Sequence, residues 1–388
     1  MKTKRDIPFL AMGGIYDQHE VAAAAGVIES ACAEDGDFFP LPEETEFQNA
    51  LAEHEGAVRA VAVNSCGTAL DCCMMALGIK EGDEVITTPL TFVCTAGAAI
   101  GRGGKVVFAD VDPASMNLNP ASVRERITDA TRAIIPVHFA GLAADIAGFD
   151  AITAETGVPV IYDAAHAVGA QYRGKPIGAA GKASCYSFQS NKNMTCLGEG
   201  GAVTTADLEF AEIVRQKKTF GYVYGKEIRV ASIGFNYRMT KPQYAVGISQ
   251  LRKIDEVIRL RQERMERMNT LLADTEDIIL PVGHGPGHGS HLYVIRLDTD
   301  KVSFTRDAFR SLLKEQYGVA TVLHYPAVWT WEAFTDLGYS EKSAQCPVAA
   351  KACEQVLSLP IFPRTSADDL EYIAWAVKDG LSSLKGET

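Results

Sequence analysis

The sequence predicts an α/β protein, with a large domain built on a mostly parallel seven-stranded sheet and a smaller C-terminal α+β domain. Three observations lead there. Short apolar runs alternate with helix-like stretches from residue 58 to 206, as in a chain that crosses repeatedly over a sheet. Several of these runs are apolar nearly throughout, as strands are when helices cover both faces of a parallel sheet. The chain of 388 residues is also long enough to bury one large core and a second, smaller one.

The expected strands are Val58–Asn64, Glu84–Thr88, Val106–Val111, Ala133–Val137, Val158–Tyr162, Ser184–Phe188 and Ala202–Thr204. Helical stretches such as Thr68–Gly78 and Phe149–Thr156 lie between them. Lys241–Thr270 has the length and charge of one long helix, with Pro242 in the first turn, where a missing N–H costs little. This helix is expected to bridge a large domain, 1–250, to a small one, 251–388. Beyond it, Ser290–Leu297 and Val319–His324 read as strands, and Cys346–Leu357 and Ala367–Ser383 as helices.

Composition narrows the function. A net charge of −12 argues against sequence-independent nucleic-acid binding, which needs surplus Lys and Arg facing phosphates. No apolar run reaches the ~18 residues of a membrane span, and the start of the chain does not read as a secretory signal. The cytoplasm is the expected compartment. The nine cysteines are scattered and lack paired CxxC spacing, so neither a disulfide framework nor a metal site is expected. No G-x-G-x-x-G follows an early strand, which argues against a dinucleotide oxidoreductase.

Ligands of open α/β sheets bind at the carboxyl ends of strands, and three such ends carry polar residues. Asn64-Ser65-Cys66-Gly67-Thr68 follows a strand and opens a helix. Gly67 allows close backbone approach, and the helix N-terminus favours an anion, although a simple N-cap explains the segment equally well. Val158–Tyr162 runs into Asp163, with His166 three residues on. That aspartate is either a helix cap or a site carboxylate; in a pyridoxal-phosphate enzyme it keeps the pyridine nitrogen protonated. His166 is either beside the same ring or hydrogen-bonded in the core. The third segment, Ser187–Lys192, runs into Gly198-Glu199-Gly200-Gly201. Lys192 is either an exposed loop lysine or an amine turned into the cleft, where burial lowers its pKa.

In their order, these segments resemble the DegT/DnrJ/EryC1/StrS family of sugar and cyclitol aminotransferases, of the aspartate-aminotransferase-like fold (fold type I of the pyridoxal-phosphate enzymes). The resemblance runs through NSCGTAL (64–70), GDEVITTPLTFVCTAGA (82–98), VIYDAAHAVGA (160–170), SFQSNKNMTCLGEGGAV (187–203), GFNYRMT (234–240) and LSLPIFP (357–363). It implies pyridoxal 5'-phosphate bound to Lys192 as a Schiff base, with Lys192 then moving a proton between cofactor and substrate carbons. Asp163 would pair with the pyridinium nitrogen, His166 would lie near the ring or its phenolic oxygen, and Phe92 would stack on the ring. Gly67, Thr68 and Ser187 would hold the phosphate, with Gln189 a further cofactor contact. Asn236 matches a position that reaches the phosphate of a neighbouring subunit, implying a homodimer with shared sites. Tyr237, Arg238, His324 and Tyr325 resemble substrate-side positions.

Two residues depart from the family pattern. Cys66 stands where the family usually has Ser, and Gln189 where many nucleotide-sugar members have His. The second departure resembles the branch that aminates keto-cyclitols and the related 3-amino-5-hydroxybenzoate synthases. The implied reaction moves an amino group from glutamine or glutamate, through pyridoxamine 5'-phosphate, to a ketone on a keto-cyclitol or keto-sugar in amino-sugar or aminocyclitol biosynthesis. The rivals are a dehydratase, an aromatising synthase or a non-catalytic partner subunit. The family's sugar dehydratases carry histidine in place of the lysine, and a helper is expected to have lost the lysine or the aspartate. Lys192 and Asp163 are both present.

Overall fold

The computed structural model describes residues 3–9 and 14–386. All seven expected strands of the large sheet form: β1 (Arg59–Val63), β2 (Glu84–Thr87), β3 (Lys105–Phe108), β4 (Thr131–Ile135), β5 (Ile161–Asp163), β6 (Ala183–Ser187) and β7 (Gly201–Thr205). Their spatial order is β3-β2-β4-β5-β6-β7-β1. β4 and β5 meet through parallel bridges at Ile134–Val160 and Val137–Asp163, which join a three-stranded and a four-stranded ladder. β7 alone runs against its two neighbours, so the carboxyl ends of β1, β5 and β6 lie along one edge.

The period-two alternation of the strands decides which side chains meet which layer. Val61 and Val63, Ala133 and Ile135, Ile161, and Ala183 and Cys185 face one core. Helices α1 (Gln18–Ala31) and α2 (Leu41–His54) precede the sheet, whereas α3 (Cys66–Leu77) and α4 (Val93–Ile100) line that first core. The intervening residues Ala60, Ala62, Ile134, Tyr162 and Tyr186 face the opposite core. There they meet α2, α5 (Ile146–Thr156) and α7 (Lys241–Leu251), while α6 (Leu208–Lys218) packs on the α3 side. By the same alternation Asp163 and Ser187, two residues beyond Ile161 and Cys185, turn back towards α3 at the strand ends.

The single helix expected over Lys241–Thr270 is instead two, α7 and α8 (Ile254–Leu272), broken at Arg252-Lys253. Outside the helical line, the Lys253 ammonium pairs with Asp17 at 3.0 Å and with the buried Glu20 at 2.7 Å, both at the start of α1. Two charge-assisted contacts offset the hydrogen bonds that a continuous helix would have kept. The first half of α8 packs into the large-sheet core through Ile254, Val257 and Ile258; its second half enters a third core through Met265, Met268 and Leu272.

That third core covers an antiparallel sheet of β8 (Ile278–Ile279), β9 (Tyr293–Leu297) and β10 (Val356–Leu359), with α9 (Arg306–Glu315) and α11 (Ala367–Gly386); α10 (Pro347–Gln355) leads into β10. The strand expected over Val319–His324 does not form. Val319 bridges Ile7 and Val322 bridges Ser358, each singly, because the segment divides its hydrogen bonds between the N-terminal strap and β10. It is left as an irregular wall beside the end of the large sheet.

Candidate active site

The carboxyl edge of the sheet opens into a cavity of about 800 Å³, within the range of small-molecule sites. Asp163, Lys192, Gly67, Ser187 and Gln189 reach it from the large lobe. Phe92 and His166 line it as well, and His324 and Tyr325 close it from the irregular wall. The structure therefore gathers most of the residues expected from the sequence around one space.

Asp163 is buried, and its Oδ2 accepts from the Thr95 hydroxyl at 2.7 Å. Its Oδ1 accepts from the Ala165 N–H at 3.0 Å and, more weakly, from the Cys66 thiol at 3.7 Å. Burial pushes its pKa up, opposed by those donors and by the charge of Lys192. Among the described residues it has no ion-pair partner. Such a carboxylate calls for a cationic N–H donor from a ligand.

The Lys192 amine lies among Cys66, Cys94 and Asp163. Burial lowers its pKa, and the Asp163 carboxylate works the other way. His166 donates to or accepts from Tyr325 Oη through Nε2 at 2.9 Å, while its buried Nδ1 has no partner among the described residues. Burial, with the neighbouring Lys192 amine, holds the imidazole pKa well below its ordinary value. Phe92 is no core residue: it is 57% exposed and presents its ring 6.1 Å from that of Tyr325.

The turn after β1 caps α3 and also borders the cavity. Ser65 is the N-cap of α3, and its hydroxyl accepts from Thr68 N. The Thr68 hydroxyl is occupied within this capping box, donating to Asn64 at 2.8 Å or to Ser65 O at 2.9 Å, and Thr68 does not line the cavity. Cys66 and Gly67, whose N–H groups open the helix, do line it. A Cβ on Gly67 would meet only Cys94 and Ser65 atoms at 3.6 and 3.7 Å, so no protein contact requires glycine there. Gly201 differs. A Cβ there would lie 2.6 Å from Ser65 O and 2.7 Å from Cys66 N, so β7 starts pressed against the turn.

Three expected residues lie elsewhere. Asn236 and Arg238 are exposed, bonded to each other at 2.9 Å, and line a separate pocket beside Phe38 and Phe39. Tyr237 donates to Asp71 at 2.9 Å, outside the cavity; burial and the Asp71 carboxylate push its phenol up to about 12.

The match of the family model for DegT/DnrJ/EryC1/StrS aminotransferases covers residues 18–378. The chain belongs to this family. It is a pyridoxal-phosphate-dependent aminotransferase. It is 35% identical to the spore coat polysaccharide biosynthesis protein SpsC of Bacillus subtilis, over 94% of this chain and 95% of that one. Among solved structures it resembles S. venezuelae DesV in complex with a ketimine intermediate, at 32% identity and a TM-score of 0.85, over 93% and 94% of the two chains. 3-Amino-5-hydroxybenzoic acid synthase matches at 28% identity and a TM-score of 0.88, over 98% and 100%. No helix among the described residues is long and apolar enough to cross a membrane.

The residues present fit the cofactor. A buried carboxylate with no ion pair among the described residues, a lysine amine, an exposed aromatic face and the start of a helix all border one space. Sequence reasoning missed Thr95, which orients Asp163 from one turn after Phe92, and Trp331 and Arg310, which reach the cavity from the small lobe. The spacing from Phe92 to Thr95 was the available signal for the first. Nothing in the local sequence marks the other two.

Proposed function

We propose that the protein transfers an amino group from L-glutamine or L-glutamate to a ketone of a keto-sugar or keto-cyclitol, with Lys192 as the acid–base group. The observation that carries this is the convergence of the Lys192 amine and the buried Asp163 carboxylate in one cavity that the exposed Phe92 ring also lines. The likeness to SpsC, a spore coat polysaccharide biosynthesis protein, supports a sugar-type acceptor.

Asp163, held by Thr95 and Ala165, would bind the ring nitrogen and keep it protonated. Phe92 would stack on the ring, and His166 would lie near it. The N–H groups of Cys66 and Gly67, with Ser187, would take the phosphate, and Gln189 borders the same space. Bound pyridoxal phosphate supplies an electron sink for charge that develops on the substrate carbon. Lys192 Nζ would take a proton from the donor carbon and return one to the acceptor carbon; burial, which lowers its pKa, favours the neutral amine that the first task needs. His324 and Tyr325 bound the substrate side. Asn236 lies outside the cavity of its own chain and serves that of a second copy, so the working unit is a homodimer.

The test is an absorbance titration of the cofactor-loaded protein with glutamine, glutamate and alanine in turn, beside Lys192→Ala. One donor should convert the cofactor spectrum in the wild type and none in the variant. A wild type that binds cofactor but answers to no donor would overturn the reading.

A further inference from the structure

We infer that Asn193 and His291 are positioning residues for Lys192: their side-chain contact ties the lysine loop to the small-lobe segment leading into β9, and so fixes where the amine reaches. Within the loop, the Lys192 N–H donates to Gln189 O and the Cys196 N–H to Phe188 O, both at 2.9 Å. Those bonds fold the loop upon itself. Asn193, the residue after Lys192, reaches outward instead. It is buried, its Nδ2 donates to Gly289 O at 2.5 Å, and its Oδ1 lies 3.3 Å from His291 Nδ1.

Hydrogen-bond chemistry admits one arrangement of the pair. A carbonyl only accepts, so the nitrogen of the Asn193 amide faces Gly289 O and its oxygen faces the histidine. Burial, and after it the neighbouring Lys192 amine, push the His291 pKa well below its ordinary value. A neutral imidazole carries a single N–H, and the amide oxygen places it on Nδ1.

His291 is itself firmly held. Its N–H donates to Ala140 O at 3.1 Å, and its carbonyl accepts from the buried Arg261 at 3.1 Å. Its ring lies 4.7 Å from that of His166. The segment that carries it is pressed onto the large lobe, since a Cβ on Gly141 would lie 2.7 Å from Ser290 N. Asn193 therefore fastens the lysine loop to a fixed support. Removing either partner leaves a buried polar group unanswered, and the loop must shift to relieve it. A displacement of about 1 Å at a reacting atom slows bond formation by about a hundredfold.

This inference rests on Lys192 carrying the cofactor, and its test separates the reach of the amine from the integrity of the cavity. The apoprotein is mixed with saturating pyridoxal phosphate and quenched with borohydride at intervals, and the cofactor mass on the peptide containing Lys192 is read by mass spectrometry. Binding of pyridoxamine 5'-phosphate, which forms no bond to the lysine, is titrated beside it. Asn193→Ala and His291→Leu should each slow the coupling at least about tenfold, the scale of one buried hydrogen bond, and change pyridoxamine phosphate affinity less than about threefold. His291→Asn keeps a donor at the place of Nδ1 and should couple within about threefold of the wild type. The double variant Asn193→Ala/His291→Leu should be about as slow as the slower single one, because both remove the same contact. Unchanged coupling in Asn193→Ala, a parallel loss of pyridoxamine phosphate affinity, or His291→Asn as slow as His291→Leu would overturn the inference. A wild type that takes no cofactor on the Lys192 peptide fails the reading beneath it instead, and the inference falls with it.

Discussion

The Thr95 hydroxyl donates to Asp163 Oδ2 at 2.7 Å and is itself 2.8 Å from the Thr91 hydroxyl, so a relay of two threonines terminates on the buried carboxylate. It fixes which way the carboxylate faces and favours its charged form. Thr95→Val should weaken cofactor binding about tenfold, the scale of a hydrogen bond to a charged group, and Thr95→Ser should recover most of the loss. Fluorescence titration of the apoprotein with pyridoxal phosphate measures both.

Phe92 separates binding from stability. Its ring is largely exposed, so Phe92→Ala should move the melting temperature by less than about 2 °C. Loss of a stacking face should still weaken cofactor binding by about threefold to tenfold. A melt and a cofactor titration on the same preparation check the pair. A large loss of stability would mean that the ring belongs to the fold.

Lys192 is surrounded by groups that leave it no equivalent neighbour. Borohydride reduction of the holoenzyme should leave the cofactor mass on the peptide containing Lys192 and on no other, as read by mass spectrometry. Lys192→Arg should lose at least about a thousandfold in turnover despite keeping the charge, because a guanidinium does not release its proton.

Sharing of sites between subunits has a direct check. Lys192→Ala and Asn236→Ala proteins, each impaired alone, should regain activity when unfolded and refolded together if Asn236 serves a second copy. One site of each mixed dimer then has both residues intact. No gain on mixing places Asn236 in the service of its own chain.

His54 makes stability depend on pH. Its burial favours the neutral ring, but the Glu55 carboxylate at 3.0 Å and Asp255 at 3.1 Å outweigh that and raise its pKa from 6.5 to about 9. A group whose pKa is raised by folding stabilises fully below its unfolded value and loses that contribution as pH rises through its folded value. The melting temperature should therefore fall between pH 6.5 and 9.5, and His54→Asn should flatten this part of the profile. Because Asp255 is solvent-exposed, the contribution is on the order of 1 kcal/mol.

The sheet was legible because buried parallel strands leave near-continuous apolar runs, and the ends of β1, β5 and β6 carried their polar residues in plain view. Asp163 could be read from the run before it, and Lys192 from the glycines after it. The break at Lys253 could not, since its cause is Glu20 on a helix more than two hundred positions away. The segment 319–324 has the composition of a strand but lacks a continuous partner, which no local pattern reveals. Thr68 illustrates a subtler limit: its type suits both a cap and a phosphate ligand, and only the hydrogen bonds show the hydroxyl occupied.

The absence of a side chain at Gly201 ties the lysine loop to the turn that opens α3, because the start of β7 rests on the backbone of Ser65 and Cys66. The two loops cannot be exchanged independently. A chimera that borrows the lysine loop of a relative must borrow the matching turn as well, or the strand between them will be displaced. Substrate range in this scaffold is therefore better altered from the small-lobe wall, where side chains can change without moving either loop.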